Sequence, residues 1–361
     1  MRDTFSFIIH PIDPKRDVAR KFPLLGKVLP VGAINFFSTF FPPLYISHIT
    51  GIRSRATGNE LEGWFVACPY TPARMLSLPP AVVYKKIVQT GKLAEKLGAR
   101  ILGLGAYTSV VGDAGLTIAQ HLDLPVTTGN SFTVATAIDA ALDGARLMRI
   151  PLESATVAVV GATGSIGSVC SILLARQVRR TLLIGRREAA LRSLERQIMA
   201  EGNLVQCFTN VAKLREADII ITVTSSLDEI IHPEHLKPGA VICDVARPRD
   251  VSVQVAEQRN DVLVIDGGMV SVPGDVNFGF DFGFPPGLAY ACMAETMILA
   301  LEGHYRDYSI GREISIQQVE MISSLARRHG FQLAGIRSFE RAVSENEVEQ
   351  IRQRAQAGLS R

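Results

Sequence analysis

Thr156-Val-Ala-Val-Val-Gly-Ala-Thr-Gly-Ser-Ile-Gly167 carries more of the fold than any other stretch of this 361-residue chain. Val157 to Val160 form an unbroken apolar run, the pattern of a strand buried on both faces of a parallel sheet. Gly161, Gly164 and Gly167 follow as G-x-x-G-x-x-G, a variant of the dinucleotide turn. Gly161 permits the tight turn, Gly164 permits close approach of backbone to a pyrophosphate, and Gly167 lets the next helix pack on the strand. Thr163 and the helix-start residues Ser165, Ile166 and Gly167 would then face the phosphates. A strand, turn and helix that bind nothing fit the same pattern, so the residues downstream have to discriminate.

Thr181 to Ile184 read as a second strand. About 20 residues past the turn, where an NAD-preferring site places a ribose-binding carboxylate, the chain has Gly185-Arg186-Arg187. Two guanidiniums there favour NADPH, because their planar, permanently charged forks suit the 2′-phosphate that a carboxylate would repel. Apolar runs at Ala217 to Val223, Ala240 to Val245 and Val262 to Ile265 supply the rest of a Rossmann half-sheet. Thr222-Val-Thr-Ser-Ser226 closes one of these strands, so Thr224 and Ser225 are expected beside the cofactor ribose.

Composition bounds the remaining possibilities. Hydrophobic residues make up 47% and charged residues 20%, which is globular, and a net charge of +3 offers no electrostatic footprint for nucleic acid. The five cysteines, Cys68, Cys170, Cys207, Cys243 and Cys292, lack C-x-x-C or His/Cys ligand spacing. Free thiols, no metal and a cytoplasmic location are the expectation. The N-terminal apolar run is too short for a signal peptide.

Phe22 to Ile49 is rich in Phe, Leu and Ile, but Pro23, Gly26, Lys27, Pro30, Gly32, Pro42 and Pro43 interrupt it too often for a membrane-spanning helix. Core packing is the plain reading. An apolar wall or lid around a long greasy substrate, or peripheral membrane contact, is the sharper one. The expected fold class is α/β with two domains. A smaller α/β substrate domain (1–150) precedes a Rossmann-type NADP-binding domain (151–285), and C-terminal helices (286–361) close the cleft. Strands are expected at Phe5–Ile9, Gly63–Ala67 and Ile101–Leu104, with helices at Pro80–Leu97, Ser131–Arg149, Gly287–Glu302, 313–329 and 339–358. Gly303 should terminate the third of these helices, and the last should be peripheral.

Several blocks together resemble one family. They are Thr127-Thr-Gly-Asn-Ser-Phe-Thr133, the glycine turn at 156–167, Ala291-Cys-Met-Ala-Glu295 after Pro285-Pro286, Glu302-Gly303, and Arg328-His-Gly-Phe-Gln332. Over residues 60–332 the chain resembles the long-chain acyl-[acyl carrier protein] reductases of the cyanobacterial alkane pathway. It departs from them at residues 20–55, which are more apolar and proline-rich, and at residues 333–361, which extend beyond their usual end. The resemblance implies NADPH-dependent reduction of a fatty acyl thioester to a fatty aldehyde through an acyl-enzyme on Cys292. Acyl carrier protein or coenzyme A would carry the acyl group, and an aldehyde-consuming enzyme would act next. A thiolate exchanges one thioester for another at little energetic cost, which fits a cysteine nucleophile. Expected one and a half turns into its helix, Cys292 would feel the positive helix end. Small core filler accounts equally for Cys292 in isolation, and Cys68, just before Pro69, is the rival nucleophile.

Thr128, Asn130 and Ser131 are candidate substrate contacts that could polarise the thioester carbonyl, and helix capping would also explain them. Asp244 to Asp250 is similar to a strand-end segment of glutamyl-tRNA reductases and reads as shared NADP-domain architecture. Nothing marks His304 or His329 as a general acid. Lys85, Lys92, Lys96 and Arg100 fall on one helical stripe that an acidic carrier protein could meet. Two other functions fit the residues: a shikimate-dehydrogenase-like NADP-dependent alcohol oxidoreductase, and an NADPH-binding sensor without turnover.

Overall fold

The computed structural model describes residues 3–359. It divides into two compact units, and the chain passes between them more than once. The first unit runs from the N-terminal strand to Phe132 and takes in Val270–Gln332; the second comprises Thr133–Met269 and the segment from Leu333 onward.

In the first unit, β1 (Thr4–Ile9), β2 (Leu44–Arg53), β3 (Glu60–Ala67), β4 (Leu102–Leu104) and β5 (Val126–Thr127) form one sheet in the order β2-β3-β1-β4-β5. Neighbours run parallel except β2, which joins β3 antiparallel. Phe5, Phe7 and Ile8 of β1 are sealed from solvent, as befits a central strand covered on both faces. One face carries the helix Pro80–Lys96, whose Val83, Ile87 and Ala94 are buried in a core with Ile8, Val66 and Leu104.

In the second unit, β6 (Thr156–Val160), β7 (Arg180–Ile184), β8 (Leu204–Phe208), β9 (Ile219–Thr222), β10 (Val241–Asp244) and β11 (Leu263–Asp266) make a parallel sheet in the order β11-β10-β9-β6-β7-β8. The order reverses between β6 and β9, so their carboxyl ends open the crevice where such sheets bind ligands. The fold class is the expected α/β, with a Rossmann-type sheet. β8 has no counterpart among the expected strands; it is an edge strand whose Leu204 and Gln206 face solvent.

Three boundaries differ from expectation. The break expected at 150 falls at 132/133, inside the helix Asn130–Leu147. Beyond Phe132 this helix packs on the second sheet: Gly144 lies against Ile265 and Val241, and the Ala137 carbonyl accepts from Cys243 Sγ. Residues 286–361 are shared between the units instead of forming a third. Finally, the cysteine helix starts at Ala291, four residues after Gly287, because Leu288–Tyr290 are extended. Its end at Glu302, followed by Gly303 at φ +70°, is as expected.

The helix Ile316–His329 opens on a reciprocal Ser315/Gln318 cap. The helix Glu345–Leu359 is packed rather than peripheral, since Val348 and Ala355 are buried and Arg352 reaches the Leu147 carbonyl.

Candidate functional site

Cys292 is the second residue of the helix Ala291–Leu301. It is half-buried, within the first turn, where backbone N–H groups lack partners inside the helix and favour negative charge. That is closer to the helix end than the expected one and a half turns. The turn after β5 lies directly on it. A Cβ on Gly129 would sit 2.2 Å from the Cys292 Cα, and Gly129 has φ +75°, so only glycine fits this position without strain. The two sequence blocks, with Gly129 and Cys292 163 residues apart, are therefore in direct contact.

Glu295, one turn beyond Cys292, is completely buried and holds that turn in place. Its carboxylate accepts from Thr127 Oγ1 at 2.5 Å and from the Phe132 N–H at 2.7 Å, and it also bonds Ser309 and the Gly129 N–H. Burial raises its pKa, while these donors pull it down. Ser309 completes the group from the third side. Its hydroxyl pairs with Ser131 Oγ at 2.6 Å, and its carbonyl accepts from Thr128 Oγ1 at 2.5 Å. Ser309 has φ +54°, a left-handed conformation that costs a non-glycine residue and is held by its surroundings.

Thr128, Asn130 and Ser131 flank Gly129 in the turn that packs on Cys292; all three are buried, and the Thr128 and Ser131 hydroxyls are engaged with Ser309. Glu295 was not among the expected site residues. The one available signal was a carboxylate in the otherwise uncharged run Ala289–Leu301.

The other cysteines lie in surroundings that disfavour the thiolate. Burial pushes the Cys68 thiol up to about 11 and the Cys170 thiol up to about 12, and it raises Cys243 further. Cys207 is pushed up to about 11 by desolvation, reinforced by Glu195. His329 is a buried structural residue, held between Ser54 Oγ at 2.8 Å and Glu302 Oε2 at 3.0 Å. Among the described residues no group of three or more His, Cys, Asp or Glu side chains is arranged to hold a metal ion.

In the second unit, Gly161 follows β6 with φ +83°, and Gly164 caps the helix Ser165–Ala175. A Cβ on Gly167 would lie 2.2 Å from the Gly161 carbonyl oxygen, so the helix start is pressed against the strand end. No side chain has room at Gly167, and a helix start so packed leaves its first-turn amides the place for a dinucleotide pyrophosphate in folds of this kind. Arg186 and Arg187 stand exposed after β7, and Arg187 Nη2 donates to the Thr163 carbonyl at 2.8 Å, which ties it to the glycine turn.

At the carboxyl end of β9, Asp250 holds the following turn, as Glu295 holds the turn after β5 in the first unit. Completely buried, it accepts from Thr222 Oγ1, from the Thr224 N–H at 3.1 Å and from Thr224 Oγ1 at 2.5 Å. Thr224, expected to touch the ribose, thus spends its hydroxyl proton on Asp250, while Ser225 is exposed.

The shikimate/quinate 5-dehydrogenase domain family matches residues 145–267, the span of the glycine turn and its sheet. The chain is 31% identical over 301 residues to the aminotransferase PigE of a Serratia species, covering 81% of this chain and 35% of that protein, so it spans about a third of that relative's length. It is 31% identical over 314 residues to the long-chain acyl-[acyl-carrier-protein] reductase of Synechococcus elongatus, covering 83% of this chain and 89% of the relative. Among solved structures, the L-tryptophan dehydrogenase of Nostoc punctiforme aligns over 100% of this chain and 90% of its own, with 14% identity and a TM-score of 0.38.

Proposed function

The chain belongs to the family of long-chain acyl-[acyl-carrier-protein] reductases, and from that premise we propose that it reduces a long-chain fatty acyl thioester to the fatty aldehyde, with NADPH as reductant and Cys292 as nucleophile. The observation that carries this reading is the seating of Cys292: a half-buried thiol in a helix first turn, held against Gly129 over a buried carboxyl group. The other four thiols are all shifted toward the protonated form.

The Cys292 thiolate attacks the acyl carbonyl carbon, a new C–S bond forms, the bond to the carrier sulfur breaks, and the carrier thiolate leaves to take up a proton. One thioester replaces another, so the step is nearly balanced in energy. Backbone amides of a helix first turn are donors of the kind that stabilise charge on the carbonyl oxygen. Glu295 and Ser309 fix the turn Thr127–Phe132 and so fix the wall against which the acyl group would lie. Bound NADPH supplies the hydride that takes the acyl carbon to the aldehyde, for a balance of thioester, NADPH and a proton against aldehyde, thiol and NADP⁺. Arg186 and Arg187 would hold its 2′-phosphate, and the amides after Gly164 its pyrophosphate.

Either acyl carrier protein or coenzyme A could deliver the acyl group. Lys85, Lys92 and Lys96 are exposed along the helix Pro80–Lys96 and offer a basic stripe to an acidic carrier. Arg100 is not part of that stripe, because it pairs with Asp3 at 2.9 Å and stacks on the Tyr305 ring at 3.7 Å. Neutralising the three lysines should slow carrier-dependent turnover at low salt while sparing turnover of a small acyl-CoA.

The match of residues 145–267 to the shikimate/quinate 5-dehydrogenase domain family favours a second reading, an NADP-dependent alcohol oxidoreductase. One comparison separates the two: NADPH consumption and aldehyde release by wild type and Cys292→Ser, given palmitoyl thioesters. The proposal expects a loss on the order of a thousandfold or more in the variant, as for removal of a covalent nucleophile. An unchanged rate would remove the acyl-enzyme, and activity on a small alcohol in both proteins would favour the second reading.

A further inference from the structure

The apolar stretch after β1 is folded but uncovered. It forms three short helices, Pro14–Lys21, Pro23–Val28 and Val31–Ser38. One side is anchored to the first unit: Asn35 Oδ1 accepts from Thr71 Oγ1 at 2.7 Å, Thr39 Oγ1 accepts from Arg74 Nε at 2.9 Å, and Ile34 and Ser38 are buried. The other side faces solvent with Leu24 at 79%, Val28 at 77% and Phe40 at 70% of their full exposure. Phe36 packs edge-on against Phe37 and Phe40, at centroid distances of 5.4 and 5.5 Å, in an aromatic cluster whose three members are all exposed. A contiguous apolar surface of this kind marks a place where something else binds.

Charge says what binds. Residues 14–45 hold five cations, Lys15, Arg16, Arg20, Lys21 and Lys27, against the single carboxylate of Asp17, a net charge of +4. Arg20 pairs with Asp17 at 3.0 Å, so the remaining excess is wholly positive. Lysines beside an apolar face are disfavoured at protein–protein contacts, but they suit an interface where aromatic and aliphatic side chains enter the acyl boundary and cations meet phosphates. Among the described residues no helix is long and apolar enough to cross a membrane, so the segment would lie in the interface plane.

We propose that residues 22–41 dock on an anionic lipid surface, with Leu24, Val28, Phe36 and Phe40 below the headgroups and Lys15, Arg16 and Lys27 among the phosphates. This goes beyond the acyl-thioester reading, since binding is read without turnover and each can fail alone. The test is flotation of the full chain with phosphatidylcholine vesicles, with and without phosphatidylglycerol. Wild type should float with the anionic vesicles and about tenfold less with the neutral ones, and salt should release it. The triple variant Leu24→Glu, Val28→Glu, Phe40→Glu should lose binding by about tenfold or more. In case that variant misfolds, hydrogen exchange on the wild type should show vesicle-dependent protection confined to residues 22–41. Failure of wild type to float, equal flotation of a folded variant, or absence of protection would each overturn the proposal. So would a dimer that the triple substitution dissociates and vesicles leave untouched, since a second copy would then be the cover.

Discussion

Each unit holds a turn at the carboxyl end of a parallel sheet with one buried carboxylate, and the two arrangements differ in where that carboxylate comes from. Asp250 lies 28 residues from Thr222, on the next crossover of the same sheet. Glu295 lies 168 residues from Thr127, on a helix that returns to the first unit after the chain has passed through residues 133–269 of the second. The first arrangement is assembled within one supersecondary unit and braces the turn after β9. The second joins distant segments, so the geometry around Cys292 depends on the completed tertiary structure of the first unit.

That contrast orders the expected effects. Glu295→Ala should be the most damaging, because it removes the carboxylate that accepts from the Thr127 hydroxyl and the Phe132 amide. A cost of about 4 kcal/mol in urea unfolding, with turnover nearly lost, is expected. If that variant keeps both stability and turnover, Glu295 does not hold the turn. Gly129→Ala should cost about 3 kcal/mol through the left-handed backbone and the clash with Cys292. A crystal structure of that variant with Cys292 unmoved would contradict the close packing.

In the second unit the effects should be smaller and carry a pH signature. Burial, opposed by Arg247, raises the Asp244 carboxyl to about 6 from an ordinary 3.8. A carboxyl whose pKa rises on folding is favoured neutral, so its contribution is fully present below about 4 and is lost as pH rises through 6. Asp244→Asn should therefore flatten the fall in stability between those values, by on the order of 3 kcal/mol. Parallel stability–pH curves for wild type and variant would show that Asp244 is not the titrating group. Smallest in energy, Arg186→Ala with Arg187→Ala should raise KM for NADPH about tenfold and leave KM for NADH nearly unchanged. Equal changes for both cofactors would mean the arginines do not read the 2′-phosphate.

The legibility of the chain follows the same contrast. Gly161, Gly164 and Gly167, the strand before them and the arginines after β7 act within about 30 residues of one another, so their pattern reads directly. Gly303 and the central strands β1 and β3 read directly for the same reason. Gly129 and Cys292 were each visible in the sequence, but their contact was not, and Glu295 was not read as a site residue because Thr127 and Phe132, the donors it holds, are 168 and 163 residues away. β2 lay hidden because its first residues continue the apolar run from Phe22, and nothing local distinguishes a strand there from more apolar helix. Arg100 looked like a member of a basic stripe by helical spacing, but the helix ends at Lys96, and Asp3 and Tyr305 claim the guanidinium.

The most direct test of the account is the mass of the intact protein after incubation with palmitoyl-acyl carrier protein in the absence of NADPH. A single palmitoyl adduct that maps to Cys292, and disappears with release of aldehyde when NADPH is added, is the predicted result. Turnover without any adduct, or an adduct on Cys68 that persists in Cys292→Ser, would contradict it.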